Sequence, residues 1–250
     1  MRPFLADLHV HTVLSPCADD LMLPRGIVAA ALRRDLSLVG ICDHNASENV
    51  AAVQAAAVQT GVSVLAGMEV TSREEVHVLA LFPDLEVAAA WQGFVYGHLP
   101  LLPNNERAFG VQLVVDERDE IVSVDERLLL TATNLTLAEI AAEVDRRGGL
   151  AIPAHVDRPA FSIISQLGFV PPDLAVPALE VSARANPEEP RAIHPSLAGW
   201  RLVQSSDAHF LGQVGAARTL FWLEEPTFAE LRLACRGEQG RRIEYCWGRG

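Results

Sequence analysis

The chain contains no lysine: all twenty of its Lys+Arg residues are arginine, set against 32 acidic residues and a formal charge of −12. That absence excludes a P-loop, a Schiff-base nucleophile and a lysine general base together. Any cationic side chain that holds a phosphate must then be arginine or histidine, unless a metal does the work. The acidic balance argues against a groove for duplex nucleic acid, which relies on a basic patch, while a small anionic substrate held by metals stays compatible. Long apolar runs are missing as well, none approaching the ~20 residues of a membrane span. The N-terminal stretch shows no apolar region ending in a small-residue cleavage site, so no membrane association and a cytoplasmic location are expected. Cysteine is scarce, and Cys17, Cys42, Cys235 and Cys246 show no C-x-x-C spacing. Reduced thiols, rather than a zinc ribbon or a redox motif, are the expectation.

What is present is a chain of 250 residues, half of them hydrophobic, which suffices for one large core. Short apolar runs alternate with helix-like stretches, the rhythm of βα units around a mostly parallel sheet. Strands are expected at residues 4–11, 38–42, 62–70, 76–82, 150–154, 178–182, 201–206 and 218–223. Helices are expected at 24–34, where proline suits the first turn, and at 48–59, 88–96, 137–147 and 228–236. Between about 86 and 130 the rhythm breaks into a Pro- and Asn-containing loop and a hairpin-like pair, VQLVV and EIVSV. This reads as an insertion within a single domain spanning 1–250. About seven βα-like units point to a barrel. Trp91, Phe94 and Tyr96 fit an aromatic helix face that packs into the core, the alternative being a surface that stacks a base.

The histidines are unevenly placed. In DLHVHTVLSPCADD, His9 and His11 lie two apart on a strand and therefore share a face, able to converge on one metal. ICDHN puts Asp43 and His44 at the end of the second strand and GMEV puts Glu69 at the end of the third. VHVLAL puts His77 in the fourth, IPAH puts His155 after the next, and SSDAH puts Asp207 and His209 after another. Six of the eight histidines thus fall in or at the ends of strands, beside apolar sequence where a polar ring is costly to bury without a partner. In an α/β barrel such ends converge on one face. His98 and His194 sit in connections and read as solvated loop residues.

These six segments, in order from Asp7 to about Phe210, resemble the polymerase and histidinol phosphatase (PHP) superfamily of metal-dependent phosphoesterases. The resemblance implies an α/β fold of the TIM-like type, a distorted seven-stranded (β/α)7 barrel with an inserted segment, and three divalent metal ions at one end. Carried over residue by residue, it implies that His9, His11, Glu69 and Asp207 hold one ion. Glu69 would bridge to a second ion held by His77 and His155, and Asp19, His44 and His209 would hold a third. Asp19 is preferred to its neighbour Asp20 because it matches the acid of the family's Ser-Asp-Gly-x-x-x-Pro segment, although this chain reads ADDLMLP there. Manganese, zinc and iron all suit the donors. Asp7 and Asp43 read as orienters of histidine, and Arg158 and Arg184 as candidate phosphate clamps; Asp43, Arg158 and Arg184 complete the expected catalytic set. Paired divalent ions acidify water and neutralise a phosphoryl oxygen, so no side-chain nucleophile is needed.

The reading that follows is a hydrolase of phosphate esters, with a small phosphorylated substrate, a nucleotide or short oligonucleotide. A nucleoside 3′,5′-bisphosphate phosphatase and a 5′→3′ exonuclease are both implied by the resemblance. Alternatives are a histidinol phosphate phosphatase, an amidohydrolase whose bridging ligand cannot be a carbamylated lysine here, and a scaffold without catalysis.

Overall fold

The structure is a computed structural model that describes residues 1–184 and 188–244, with the side chains of 188–190 left aside; Cys246 lies outside the described residues. Its strands are β1 (Arg2–Val10), β2 (Leu38–Ile41), β3 (Ser63–Thr71), β4 (His77–Phe82), β5 (Leu113–Val115), β6 (Ile121–Val124), β7 (Leu150–Pro153), β8 (Leu179–Val181), β9 (Leu202–Gln204), β10 (Thr219–Leu223) and β11 (Arg242–Glu244). A curled seven-stranded sheet runs in the order β11-β10-β1-β2-β3-β4-β7, and β5–β6 and β8–β9 form two separate pairs. The fold is mixed α/β, in keeping with a TIM-like barrel.

Strict βα alternation is not what the sheet shows. β1, β2 and β3 are parallel, but β4 runs antiparallel to both β3 and β7, and β10 is antiparallel to β1. The physical reason is the length of the connection. Only residues 72–76 join β3 to β4, too few for the crossover that parallel strands require. The Ser72 amide donates to the Val76 carbonyl at 2.9 Å and Glu75 adopts φ +60, which closes a tight turn.

Close strand packing depends on small residues. A Cβ added to Gly40 would stand 2.4 Å from the Leu8 carbonyl oxygen, so only glycine lets β1 and β2 approach so closely. Outer helices cover the sheet and are set by local chemistry. The helix Leu137–Arg146 begins with a capping box between Thr136 and Glu139, and Phe228–Arg236 begins at the Thr227 cap and ends at Gly237 in the left-handed conformation. Among the described residues no helix is long and apolar enough to cross a membrane.

The inserted stretch contributes the helix Leu85–Tyr96 and the β5–β6 hairpin. Trp91 is fully buried against Phe82, as a core residue. The Tyr96 hydroxyl stands 2.6 Å from Glu48 Oε1 and 3.1 Å from Asp125 Oδ2. Two buried asparagines anchor the stretch to the sheet: Asn45 donates to the Leu129 and Thr131 carbonyls, and Asn49 donates to the Leu113 carbonyl while accepting the Val115 amide.

Candidate metal centre

One end of the sheet gathers the acids and histidines. His9 and His11 leave β1 on the same face, Glu69 lies within β3 and His77 opens β4. His44, His155, Asp207 and His209 follow β2, β7 and β9. Backbone pairing continues past the strand ends and fixes these positions. The Glu69 amide donates to the Asp43 carbonyl at 3.0 Å and the Asn45 amide to the Glu69 carbonyl at 2.8 Å; the His11 amide donates to the Ala208 carbonyl at 3.0 Å. The β8–β9 pair joins in through Val156, whose amide donates to the Glu180 carbonyl at 2.8 Å. Three residues here adopt left-handed backbone conformations without being glycine: Asn45 (φ +50), His155 (φ +32) and Asp207 (φ +50). Each costs about 1–3 kcal/mol, a strain that concentrates where side chains must be aimed.

Glu69 is the hub. Its Oε1 lies 2.8 Å from His77 Nδ1 and 3.3 Å from both His9 Nε2 and His155 Nε2. Its Oε2 lies 3.0 Å from His44 Nδ1 and 3.5 Å from His11 Nε2. Asp207 Oδ1 stands 3.2 Å from His9 Nε2, 3.1 Å from His11 Nε2 and 3.6 Å from His209 Nδ1. Three groups bring their ligand atoms within 4.8 Å of one another: His9, His11 and Glu69; His44, Glu69 and His77; and His11, His44 and His209.

Whether these atoms suit a cation follows from where the protons lie. His9 Nδ1 is 3.0 Å from Glu180 Oε2, so in the neutral ring, the form a metal requires, Nδ1 carries the hydrogen and Nε2 the lone pair. His11 Nδ1 is 2.9 Å from Ser15 Oγ, whose own hydrogen is given to Asp43 Oδ1 at 2.7 Å, so His11 Nδ1 donates and its Nε2 is likewise bare. The two Nε2 atoms are 3.1 Å apart and face the Glu69 and Asp207 carboxylates. With both rings neutral, four electron-pair donors converge where His9, His11 and Glu69 are buried and Asp207 is 7% exposed, so that their repulsion is poorly screened. A divalent ion meets all of them at once, so the donor set fits the expected metal.

Without an ion the same crowding shows in the titration of the groups. Burial pushes the His9 imidazole down, but Asp207, Glu180 and Glu69 outweigh it and hold it well above the usual histidine value. His44 is raised to about 10, its burial overcome chiefly by Glu69. His11 is pushed well below the usual value by burial and by His209. Glu69 stays ionised despite burial because His77, His9 and His44 surround it.

The other expected residues fall in different places. Asp43 accepts the Thr12 amide and hydroxyl and the Ser15 hydroxyl, each at 2.7 Å, and so holds Ser15 against His11. Asp7 accepts the Ser206 amide and hydroxyl and the Gly215 amide, tying β1 to the segment that carries Asp207. Arg158 is 40% exposed and its guanidinium lies 2.6 Å from Asp207 Oδ2. Arg184 is exposed, three residues past the end of β8. Asp19 is half-buried and its carboxylate accepts the Leu21 amide at 2.9 Å; Asp20 is exposed. His98, expected to be solvated, is half-buried with Nδ1 2.8 Å from the Phe94 carbonyl at the helix end.

Sequence reasoning missed three contributors. Glu180, buried in β8, touches His9 through its side chain and accepts the His155 amide at 3.1 Å with the same oxygen. The signal was an acid between Leu179 and Val181 in an apolar strand. Cys17, in the loop after β1, is exposed, and His209 and His44 draw its thiol down to about 7 against the effect of burial. Phe161, at φ +55, stacks on the His77 ring with centroids 4.8 Å apart and an angle of 17°.

A model of the PHP-associated family matches residues 201–238, the stretch that carries β9, Asp207 and His209. The PHP resemblance holds. YqxK of Bacillus subtilis, itself uncharacterized, is 26% identical over 260 residues, which covers 97% of this chain and 64% of YqxK. PfuEndoQ of Pyrococcus furiosus, a lesion-specific endonuclease, superposes with a TM-score of 0.70 at 22% identity, over 97% of this chain and 58% of that one. An endonuclease Q complex holding a 27-mer duplex with an abasic lesion at its active site gives 0.69 at 21%, over 97% and 58%. A Bifidobacterium adolescentis protein named as a candidate metal-dependent phosphoesterase gives 0.57 at 21%, over 83% and 88%. These structures share the fold, and the chain spans less than two thirds of the length of YqxK and of the endonucleases.

Proposed function

We propose that this PHP-type chain is a metal-dependent phosphoesterase whose substrates are nucleotides or short oligonucleotides, as a nucleoside 3′,5′-bisphosphate phosphatase or a 5′→3′ exonuclease. The observation that carries the metal-dependent reading is the convergence of the Nε2 atoms of His9 and His11 on the carboxylates of Glu69 and Asp207. Divalent manganese, zinc or iron bound there supplies acidified water and neutralises phosphoryl charge. His9, His11, Glu69 and Asp207 would hold one ion, Glu69, His77 and His155 a second, and Asp19, His44 and His209 a third.

The remaining residues position and exclude. Glu180 and Ser15 fix the tautomers of His9 and His11, so that each presents Nε2 inward. Asp43 holds Ser15, and thereby acts on His11 without touching substrate. Arg158 reaches the centre with a partly exposed guanidinium whose five donors suit a phosphate in exchange for the Asp207 carboxylate. Arg184, exposed three residues past the end of β8, is a second candidate clamp. The nucleotide class rests on the motif resemblance and on the neighbours named as endonucleases, which also cleave phosphate esters. The charge of −12 favours a small substrate over an extended duplex.

The test is phosphate release by manganese-loaded protein from nucleoside mono- and 3′,5′-bisphosphates, histidinol phosphate and short 5′-phosphorylated oligonucleotides, with a chelator control. Chelator-sensitive release confined to the nucleotide substrates is the expected result. Release from histidinol phosphate alone would move the substrate assignment. Metal binding without release from any ester would turn the reading towards an amidohydrolase or a scaffold.

A further inference from the structure

The segment between β7 and the helix Ile163–Leu167 is pinned along its length. The Val156 amide donates to the Glu180 carbonyl at 2.8 Å, the Asp157 carboxylate accepts the Ser182 amide at 2.6 Å, and the Arg158 amide donates to the His155 carbonyl at 2.9 Å. Buried Ser162 closes the segment: its hydroxyl donates to the Arg158 carbonyl at 2.7 Å and, as the helix cap, accepts the Ser165 amide at 3.0 Å. The Phe161 carbonyl accepts the His77 amide at 3.0 Å, which ties the segment to the start of β4.

Held this way, the segment delivers two different side chains to the centre. Arg158 reaches Asp207, and Phe161 reaches His77, which itself stands 2.8 Å from Glu69. The Phe161 and His77 rings are nearly parallel, 17° apart with centroids at 4.8 Å, yet the phenylalanine is 44% exposed. The imidazole thus covers one face of the ring and leaves the other side open beside the centre. A lone exposed phenylalanine needs no explanation. This one also stands at φ +55, a conformation that glycine adopts freely and a bulky residue does not. Burial gives little return for that strain, because nearly half of the residue remains in water, and strain of this kind gathers where ligands are held.

We propose that Phe161 determines specificity: its open face stacks the planar ring in the alcohol portion of the ester, a nucleobase, while Arg158 and the ligand cluster take the phosphate. The inference rests on the phosphoesterase reading above and narrows it to esters that carry a base. Stacking on an aromatic side chain tolerates any base, since each has a π-face, and it changes affinity by roughly 5- to 100-fold per base. The site therefore prefers a nucleotide to the corresponding sugar phosphate and discriminates weakly among bases. A residue that only oriented His77 would instead change the affinity of all phosphate ligands alike.

The experiment is calorimetric binding of two non-hydrolysable phosphonates, one of adenosine and one of ribose, to the whole manganese-loaded chain, in the wild type, Phe161→Leu and Phe161→Tyr. The wild type is expected to bind the adenosine compound roughly 5- to 100-fold more tightly than the ribose compound. Phe161→Tyr, which keeps a π-face, should retain that preference, and Phe161→Leu, which keeps only apolar bulk, should erase it while leaving the ribose compound bound as before. A preference that survives in Phe161→Leu, or an equal loss for both ligands, overturns the inference. So does a wild type without preference; if that protein still releases phosphate from esters, the proposed function stands without this addition. Neither phosphonate bound and no phosphate released from any ester overturns both. Circular dichroism establishes that each variant is folded, and Phe161→Gly, free of strain at this backbone position, replaces Phe161→Leu should the latter not fold.

Discussion

One oxygen of Glu180 joins two expected ligands: Oε2 lies 3.0 Å from His9 Nδ1 and 3.1 Å from the His155 amide nitrogen. The contact sets the His9 tautomer and pins the strained backbone of His155, which sits at φ +32. Such supporting contacts typically change metal affinity about 10–100-fold when removed. Glu180→Ala is therefore expected to weaken binding of the most tightly held ion by that range, measured by competition with a chromophoric chelator. An unchanged affinity would mean that the contact is structural only.

Ser15 plays the matching part for His11. Its hydroxyl donates to Asp43 and accepts from His11 Nδ1 and from the His44 amide. Ser15→Ala leaves the Asp43 carboxylate short of a donor and frees the His11 ring, so turnover should fall about tenfold or more and the metal should dissociate faster. Ser15→Thr, which keeps the hydroxyl, should recover part of the loss. Equal activity in the alanine and threonine variants would refute the tautomer argument.

Metal binding should cancel the pH dependence of stability that His44 contributes. Glu69 raises His44 from 6.5 to about 10 against the effect of burial. The unfolded chain lacks that shift, so the contribution is fully present below about pH 6.5 and is lost as pH rises through about 10. Metal must displace the same proton, so metal affinity rises over the same window. Chelator-treated protein should show a falling Tm from pH 6.5 to 10, and the gap between metal-loaded and chelator-treated protein should widen. A Tm of the chelated protein that is flat across this range contradicts the assignment.

Arg158 competes with the ion it is expected to assist. Its guanidinium lies 2.6 Å from Asp207 Oδ2. Arg158→Ala removes a cation from a metal ligand but also removes a phosphate donor. Tighter metal binding together with a raised KM is expected, the first read by calorimetry and the second by steady-state kinetics. Weaker metal binding in this variant would assign Arg158 a purely structural role.

Much of the centre was legible because its signal is local. His9 and His11 share a face by strand geometry alone, and Asp43, His44, Asp207 and His209 follow strands at places where apolar sequence ends. What sequence could not show was contact across the sheet. Glu180 belongs to a three-residue strand and meets His9 from 171 residues away. Cys17 stands among small and acidic residues in a turn whose course is set by hydrogen bonds to Thr12 and His209. The strand direction of β4 could have been read: five residues between two strands leave no room for a crossover.

The central claim is that the Glu69-centred cluster is a polynuclear metal centre. It is tested most directly by the metal content of the purified, dialysed chain, determined by elemental analysis in the wild type and in Glu69→Gln. The account requires more than one divalent ion per wild-type chain and a loss of at least one in Glu69→Gln, whose amide cannot bridge two ions as a carboxylate does. A wild-type chain that holds no metal after reconstitution with manganese, zinc or iron would contradict it.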